Sequence, residues 1–249
     1  MKKYIILALV ALFSLSSCVL DDGTTRDPNK ANEVLVRKVI SSLSPTLRNV
    51  KYILYADAVV EGRESDAKFI KSHYFPNATI ETADDKITIT ESLSNNQSMQ
   101  SVVTTGGVKL TEGGSWTLEE VSGDKTILVG TYTGVQGAEC TFTTTYTNGK
   151  EESEDYSVKI LYSLVSNGIK MKVWGAGDME LKRSYTMSFT IDDNNPLIHY
   201  YSNTGGSRDT FYYINYFGGA MNIAYTDLVD NTSREVNILF DDDGDHIYN

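Results

Sequence analysis

The sequence predicts a mainly β protein: an antiparallel meander forming a barrel or a two-layer sandwich, with a helical segment at its N-terminal end. Three observations carry this reading. From about Lys86 onward apolar and polar residues alternate with period two, in about ten segments separated by Gly, Asn and Asp clusters. The polar side of these segments is rich in Thr, as in a sheet that packs on one face only. Between Asn29 and Gly62 the apolar residues recur at helical spacing instead.

In the helical part, Val36, Val39, Ile40 and Leu43 share one face. Ser44-Pro45 reads as the start of a second helix, because Pro suits the first helical position. Leu47, Val50, Leu54 and Ala58 then form its buried face, and Gly62 supplies the stop. Val50, Tyr52, Leu54 and Ala56 also alternate, so a strand over 50–60 stays open at this level.

Farther along, Cys140, Phe142 and Tyr146 face one way and Thr141, Thr143, Thr145 and Thr147 the other. Tyr185, Met187, Phe189 and Ile191 alternate with Thr186, Ser188 and Thr190. Val236, Ile238 and Phe240 alternate with Glu235, Asn237 and Leu239. Three glycine turns fix expected registers. Asn167-Gly168 as a two-residue turn pairs Leu164 with Met171, Tyr162 with Val173 and Ser163 with Lys172. At Asn148-Gly149 the same turn would set Phe142 opposite Asp155, mixing the faces. A bulge or enlarged loop within Glu151 to Asp155 is therefore predicted. Gly218-Gly219 pairs Tyr216 with Met221, Ile214 with Ile223 and Tyr212 with Tyr225.

That last hairpin suggests a ligand surface. Its second face carries Phe211, Tyr213 and Phe217 beside Thr226, Ala224 and Ala220, with Asn215 opposite Asn222. Aromatic rings with an amide pair between them suit a flat ligand such as a sugar ring. The competing reading buries the same residues under the helix or a second sheet. His199, Tyr200, Tyr201, Trp116 and Trp174 extend either version. At the C-terminal end, Asp241, Asp243 and Asp245 stand at the first, third and fifth positions of a calcium loop, with the Ile247 carbonyl at the seventh. Against Ca²⁺, His246 takes the place of the turn glycine and no Glu follows at position 12; the alternative is a solvated acidic tail.

No catalytic residue is picked out. His73, His199 and His246 make no zinc spacing, and neither a G-x-S-x-G elbow nor a phosphate-cradling glycine loop occurs. Dispersed carboxylates of the glycosidase kind leave a hydrolase as the least favoured class.

The formal charge is −11. Loss of Lys2 and Lys3 with a signal segment leaves 20 basic against 33 acidic residues, or −13. Such a surface repels nucleic acid. Cys140 would be the only thiol after processing, so no internal disulfide is expected and the residue reads as a small core side chain.

Residues 1–17 read as a signal peptide. Lys2 and Lys3 precede the uncharged run Tyr4 to Phe13, too short for the roughly 20 residues a membrane helix needs. Leu15-Ser16-Ser17-Cys18 resembles the lipobox of bacterial lipoproteins, which implies lipidation of Cys18 and anchoring to the membrane. Asp21-Asp22 in the tether of residues 18–29 resembles the export signal of Bacteroidetes-type surface lipoproteins, which implies display on the cell surface at the outer membrane, with the periplasmic face of the same membrane as the alternative. Residues 30–249 are then expected to form one domain. The function expected is non-catalytic binding of an extracellular ligand, glycan foremost. A structural or accessory role with an outer-membrane protein partner is the alternative.

Overall fold

The computed structural model describes residues 28–92, 98–123, 125–149, 152–166, 168–181, 184–202, 218–241 and 246–248. Among the described residues two α-helices, α1 (Pro28–Val60) and α2 (Glu64–Tyr74), precede the strands. Both predicted apolar faces are realised in α1. Val36, Val39, Leu43, Leu47, Val50 and Leu54 are fully buried, each contributing about 1.5–3 kcal/mol relative to exposure. Between Ala31 and Val60 the exposed residues are Arg37, Ser41 and Pro45, a single stripe at four-residue spacing.

The second helix start expected at Ser44-Pro45 does not occur. Pro45 lies inside one continuous helix, and its position on the exposed stripe explains why it is tolerated. Proline removes the N–H that would bond the Ser41 carbonyl, and Ser41 belongs to the same exposed stripe. Next to it, the Tyr156 hydroxyl donates to the Ser42 carbonyl at 3.1 Å and lies 2.6 Å from the Thr46 hydroxyl. Residues 50–60 are helix, not strand, because burial on nearly every side masks the helical period there. The stop is as expected. Gly62 takes a left-handed φ of 71°. Its N–H bonds the Val59 carbonyl and the Arg63 N–H bonds that of Ala58, the two bonds of a Schellman ending.

Among the described residues thirteen strands form one antiparallel sheet. They are β1 (Thr79–Ala83), β2 (Lys86–Ser92), β3 (Ser98–Thr104), β4 (Ser115–Ser122), β5 (Lys125–Gly134), β6 (Thr141–Asn148), β7 (Glu154–Val165), β8 (Gly168–Leu181), β9 (Tyr185–Ile191), β10 (Leu197–Ser202), β11 (Gly219–Asp227), β12 (Thr232–Phe240) and β13 (His246–Tyr248). Neighbours in sequence are neighbours in space, except that β10 pairs with β8 and β11 with β9. The meander and the helical N-terminal segment are those the sequence predicts. Among the described residues the sheet does not close on itself, and the layer packed against it is helical.

The sheet curls around α1. Lys38 pairs with Glu154, Thr46 meets Tyr156, and Tyr162 bonds Asp57, so α1 runs along β7. Yet Tyr52 of α1 also bonds Glu91 on β2. On a flat sheet β2 would lie about 24 Å from β7, five strand spacings away. Only a strongly curved sheet brings both to one helix.

β8 has two partners on one edge: β10 pairs with it up to Val173, and β9 from Gly175 onward. Gly175 marks the handover with φ 146°, and a Cβ there would come 2.3 Å from the Ser157 carbonyl oxygen.

Two of the expected registers need correction. In the β7–β8 hairpin Val165 pairs with Gly168, so Gly168 belongs to β8 and not to the turn. Tyr162 therefore faces Met171 and Leu164 faces Ile169. The shift moves one residue on each strand, so core still meets core. For the Gly218-Gly219 hairpin the predicted partners Tyr212, Ile214 and Tyr216 lie outside the described residues, but the places expected for two of them, beside Ile223 and Tyr225, are taken by other strands. Ile223 has Val236 on one side and Phe189 on the other, and Tyr225 has Arg234 and Met187. A strand has only two edges, and β12 and β9 occupy both. The β6–β7 connection is as predicted: Asn148 pairs with Glu154 across an enlarged loop, and Phe142 meets Ile160.

Candidate functional site

Of the residues singled out from sequence, Cys18, Phe211, Tyr213, Asn215, Phe217, Asp243 and Asp245 lie outside the described residues. Asp241 is exposed just after β12, and its carbonyl accepts the Gly218 N–H at 3.0 Å. Among the described residues no group of three or more His, Cys, Asp and Glu is placed to hold a metal ion. No described helix is long and apolar enough to cross a membrane. Of the residues thought to extend the ledge, Trp116, His199 and Tyr201 serve the interior, whereas Tyr200 and Trp174 are half-buried, with Lys159 Nζ 5.7 Å from the centre of the Trp174 ring. Trp116 is fully buried, with its indole N–H on the Val108 carbonyl at 2.7 Å. His199 is buried, and Tyr201 stacks on Tyr74 with ring centres 4.7 Å apart.

Asn222 is half-buried on β11, where its cross-strand neighbours are Thr190 and Asn237, not Asn215. The amide pair expected around Asn222 exists with a different partner. Its Nδ2 donates to Asn237 Oδ1 at 2.9 Å and to Glu235 Oε1 at 2.6 Å.

Asn222 belongs to a larger surface. Strand alternation puts Met179, Met187 and Tyr225 against the core, so their neighbours in sequence face solvent. Register then lines up two polar rungs: Asp178, Ser188, Ala224 and Glu235, then Glu180, Thr186, Thr226 and Ser233. All of these but Glu235 line an open groove of about 410 Å³, which Arg234 and, on the β7 side, Ser153 also line. Ser188 Oγ donates to Asp178 at 2.7 Å, and the Thr226 and Ser233 hydroxyls lie 2.9 Å apart. The central side chains are small; carboxylates flank them on β8, and Ser233 and Arg234 on β12. Chemically the groove offers acceptors and hydroxyls to a ligand rich in O–H or N–H donors, with carboxylates giving the stronger, charge-assisted bonds.

The interior holds two polar clusters that sequence reading missed. At the end of α1, Asp57 is only 3% exposed. It accepts from the Tyr162 hydroxyl at 2.8 Å and pairs with Arg63. Arg63 also donates to Tyr162 Oη at 3.0 Å and approaches Cys140 Sγ at 3.6 Å. Burial raises the Asp57 pKa above the usual carboxylate value, although Tyr162 and Arg63 oppose it. Cys140, half-buried with φ 57°, is packed against the core as expected. A lone acid inside the apolar run Tyr52 to Val60 was the available signal; its partners lie on distant strands. The second cluster joins Lys51, Tyr52 and Glu91. Lys51 Nζ sits 4.7 Å from the centre of the Tyr52 ring and 4.0 Å from Glu91. Burial lowers the Lys51 pKa, with Glu91 pulling the other way. Tyr201 nearby is pushed up to about 12 by burial. Both clusters fasten the helices to the sheet, whereas the outer groove is open to a ligand.

Comparison with protein-family models, with curated proteins and with solved structures finds no match.

Proposed function

We propose that the chain is a lipoprotein anchored through Cys18 on the outside of the outer membrane, where it binds an extracellular glycan without transforming it. The address rests on Leu15-Ser16-Ser17-Cys18 and on Asp21-Asp22. The observation that carries the binding reading is the groove over β8, β9, β11 and β12, floored by hydroxyls and edged by Asp178 and Glu180 on β8 and by Arg234 on β12. Sugar hydroxyls donate well to carboxylates, and the acidic rim favours neutral or cationic glycans over anionic ones.

Two measurements test this. Mass spectrometry of the mature protein should find Cys18 acylated, and Cys18→Ser should release the product from the membrane fraction. A glycan array probed with the chain lacking residues 1–18 should retain neutral oligosaccharides. Glu180→Gln and Asp178→Asn should each weaken retention roughly tenfold, the loss of one charge-assisted hydrogen bond. Retention that ignores both substitutions, or no retention at all, refutes the glycan assignment.

A further inference from the structure

We infer that the free edge of β5 is a docking edge, at which an extended basic polypeptide segment of a partner protein adds to the sheet as a further strand. β5 pairs with β4 from Lys125 to Thr133. Among the described residues it pairs with β6 only over Thr131–Gly134. The parting follows a bulge. Leu118 faces Gly130 and Glu119 faces Leu128, which leaves Val129 as the extra residue. A bulge bends its strand and raises the local twist, and beyond it the β4–β5 arm leaves β6. β6 continues through Tyr146 and Thr147 on β7 alone.

Half of a strand's backbone donors and acceptors point to each side. The outward half between Lys125 and Gly130 therefore has no ladder partner among the described residues. The arm also stands clear of the core. Ile127 and Leu128 point to opposite faces, yet are 60% and 58% exposed. An edge with exposed apolar side chains and unpaired backbone groups is a template for strand addition.

The chemistry of the occupant follows from two features. A row of alternating N–H and C=O groups is satisfied along its length by another extended polypeptide backbone. The flanks are acidic: Glu120 and Glu119 are the cross-strand neighbours of Ile127 and Leu128, and exposed Asp155 lies beside Thr147 across the gap. With the chain at −11 overall, a Lys- or Arg-bearing segment is favoured. A second copy of this chain would bring the same acids. The inference is independent of the glycan reading, whose groove lies on β8, β9, β11 and β12.

Hydrogen exchange on the full lipidated chain in neutral detergent tests it, with two blocked peptides of equal charge, VKVKVKV and VKPKPKV. The first should slow exchange at residues 125–130 by about fivefold or more. The second, whose prolines lack ladder donors and break the strand, should not. Leu128→Lys, at an exposed position, should weaken binding of the first peptide about tenfold with an unchanged melting temperature; Ile127→Lys serves if that variant is less stable. Equal protection by both peptides would mean charge attraction alone and overturns the proposal. So does undiminished binding by both variants. Protection that grows with protein concentration without peptide would assign the edge to a second copy instead.

Discussion

The Tyr162 hydroxyl donates a 2.8 Å hydrogen bond to the carboxylate of Asp57, tying the last turn of α1 to β7 beneath the curled sheet. Arg63 reaches the same carboxylate because the turn at Gly62 swings the chain back over the helix end. Tyr162→Phe keeps the ring but removes the donor. It should cost about 1–3 kcal/mol, as expected when a buried carboxylate loses a partner, measured as a lowered urea midpoint.

Burial raises the pKa of Asp57 above its ordinary 3.8. Between that value and the raised one, the native state holds more protons than the unfolded chain. This carboxyl's contribution to stability therefore falls as pH rises through the window. Asp57→Asn lacks that titration. Its stability relative to the parent should climb as pH rises above the ordinary carboxylate value, read from urea midpoints at each pH. A flat difference would show that Arg63 and Tyr162 fully offset the desolvation.

Pro45 is exposed in the interior of α1. Pro45→Ala restores the N–H to the Ser41 carbonyl and should raise stability by about 1–3 kcal/mol, seen as a higher melting temperature. Adding Tyr156→Phe should take back part of the gain, because the Ser42 carbonyl then loses its hydroxyl donor.

Gly175 stands where β8 changes partner from β10 to β9. Gly175→Ala puts a methyl group against the Ser157 carbonyl in a left-handed backbone. A loss of more than about 1 kcal/mol is expected. Amide exchange should rise at residues 157–158 and 175–177 before the rest of the sheet.

Much of the strand layout was legible because period two forces a decision at every residue. The alternation in Tyr185–Ile191 and Thr232–Phe240 matches the observed burial. At Asn148-Gly149 the same rule exposed a conflict that only a longer loop relieves, and the loop is there. The rule failed at Gly218-Gly219, where a local turn signal ignores which other strands compete for the same edges. Helix propensity failed at Pro45 for a related reason: burial on the remaining faces of α1 outweighs one missing bond.

The sequence by itself determined which side chains seek the core, where the chain must turn, and the charge it shows to solvent. Those are properties of neighbours a few residues apart. Only the tertiary structure decided that the sheet curls around one helix, that Asp57 finds Tyr162, and that Asp178, Glu180, Thr226 and Ser233 share a groove. Each of these joins strands distant in sequence, and such pairings depend on which hydrogen-bonding edges remain free once the rest of the sheet has formed.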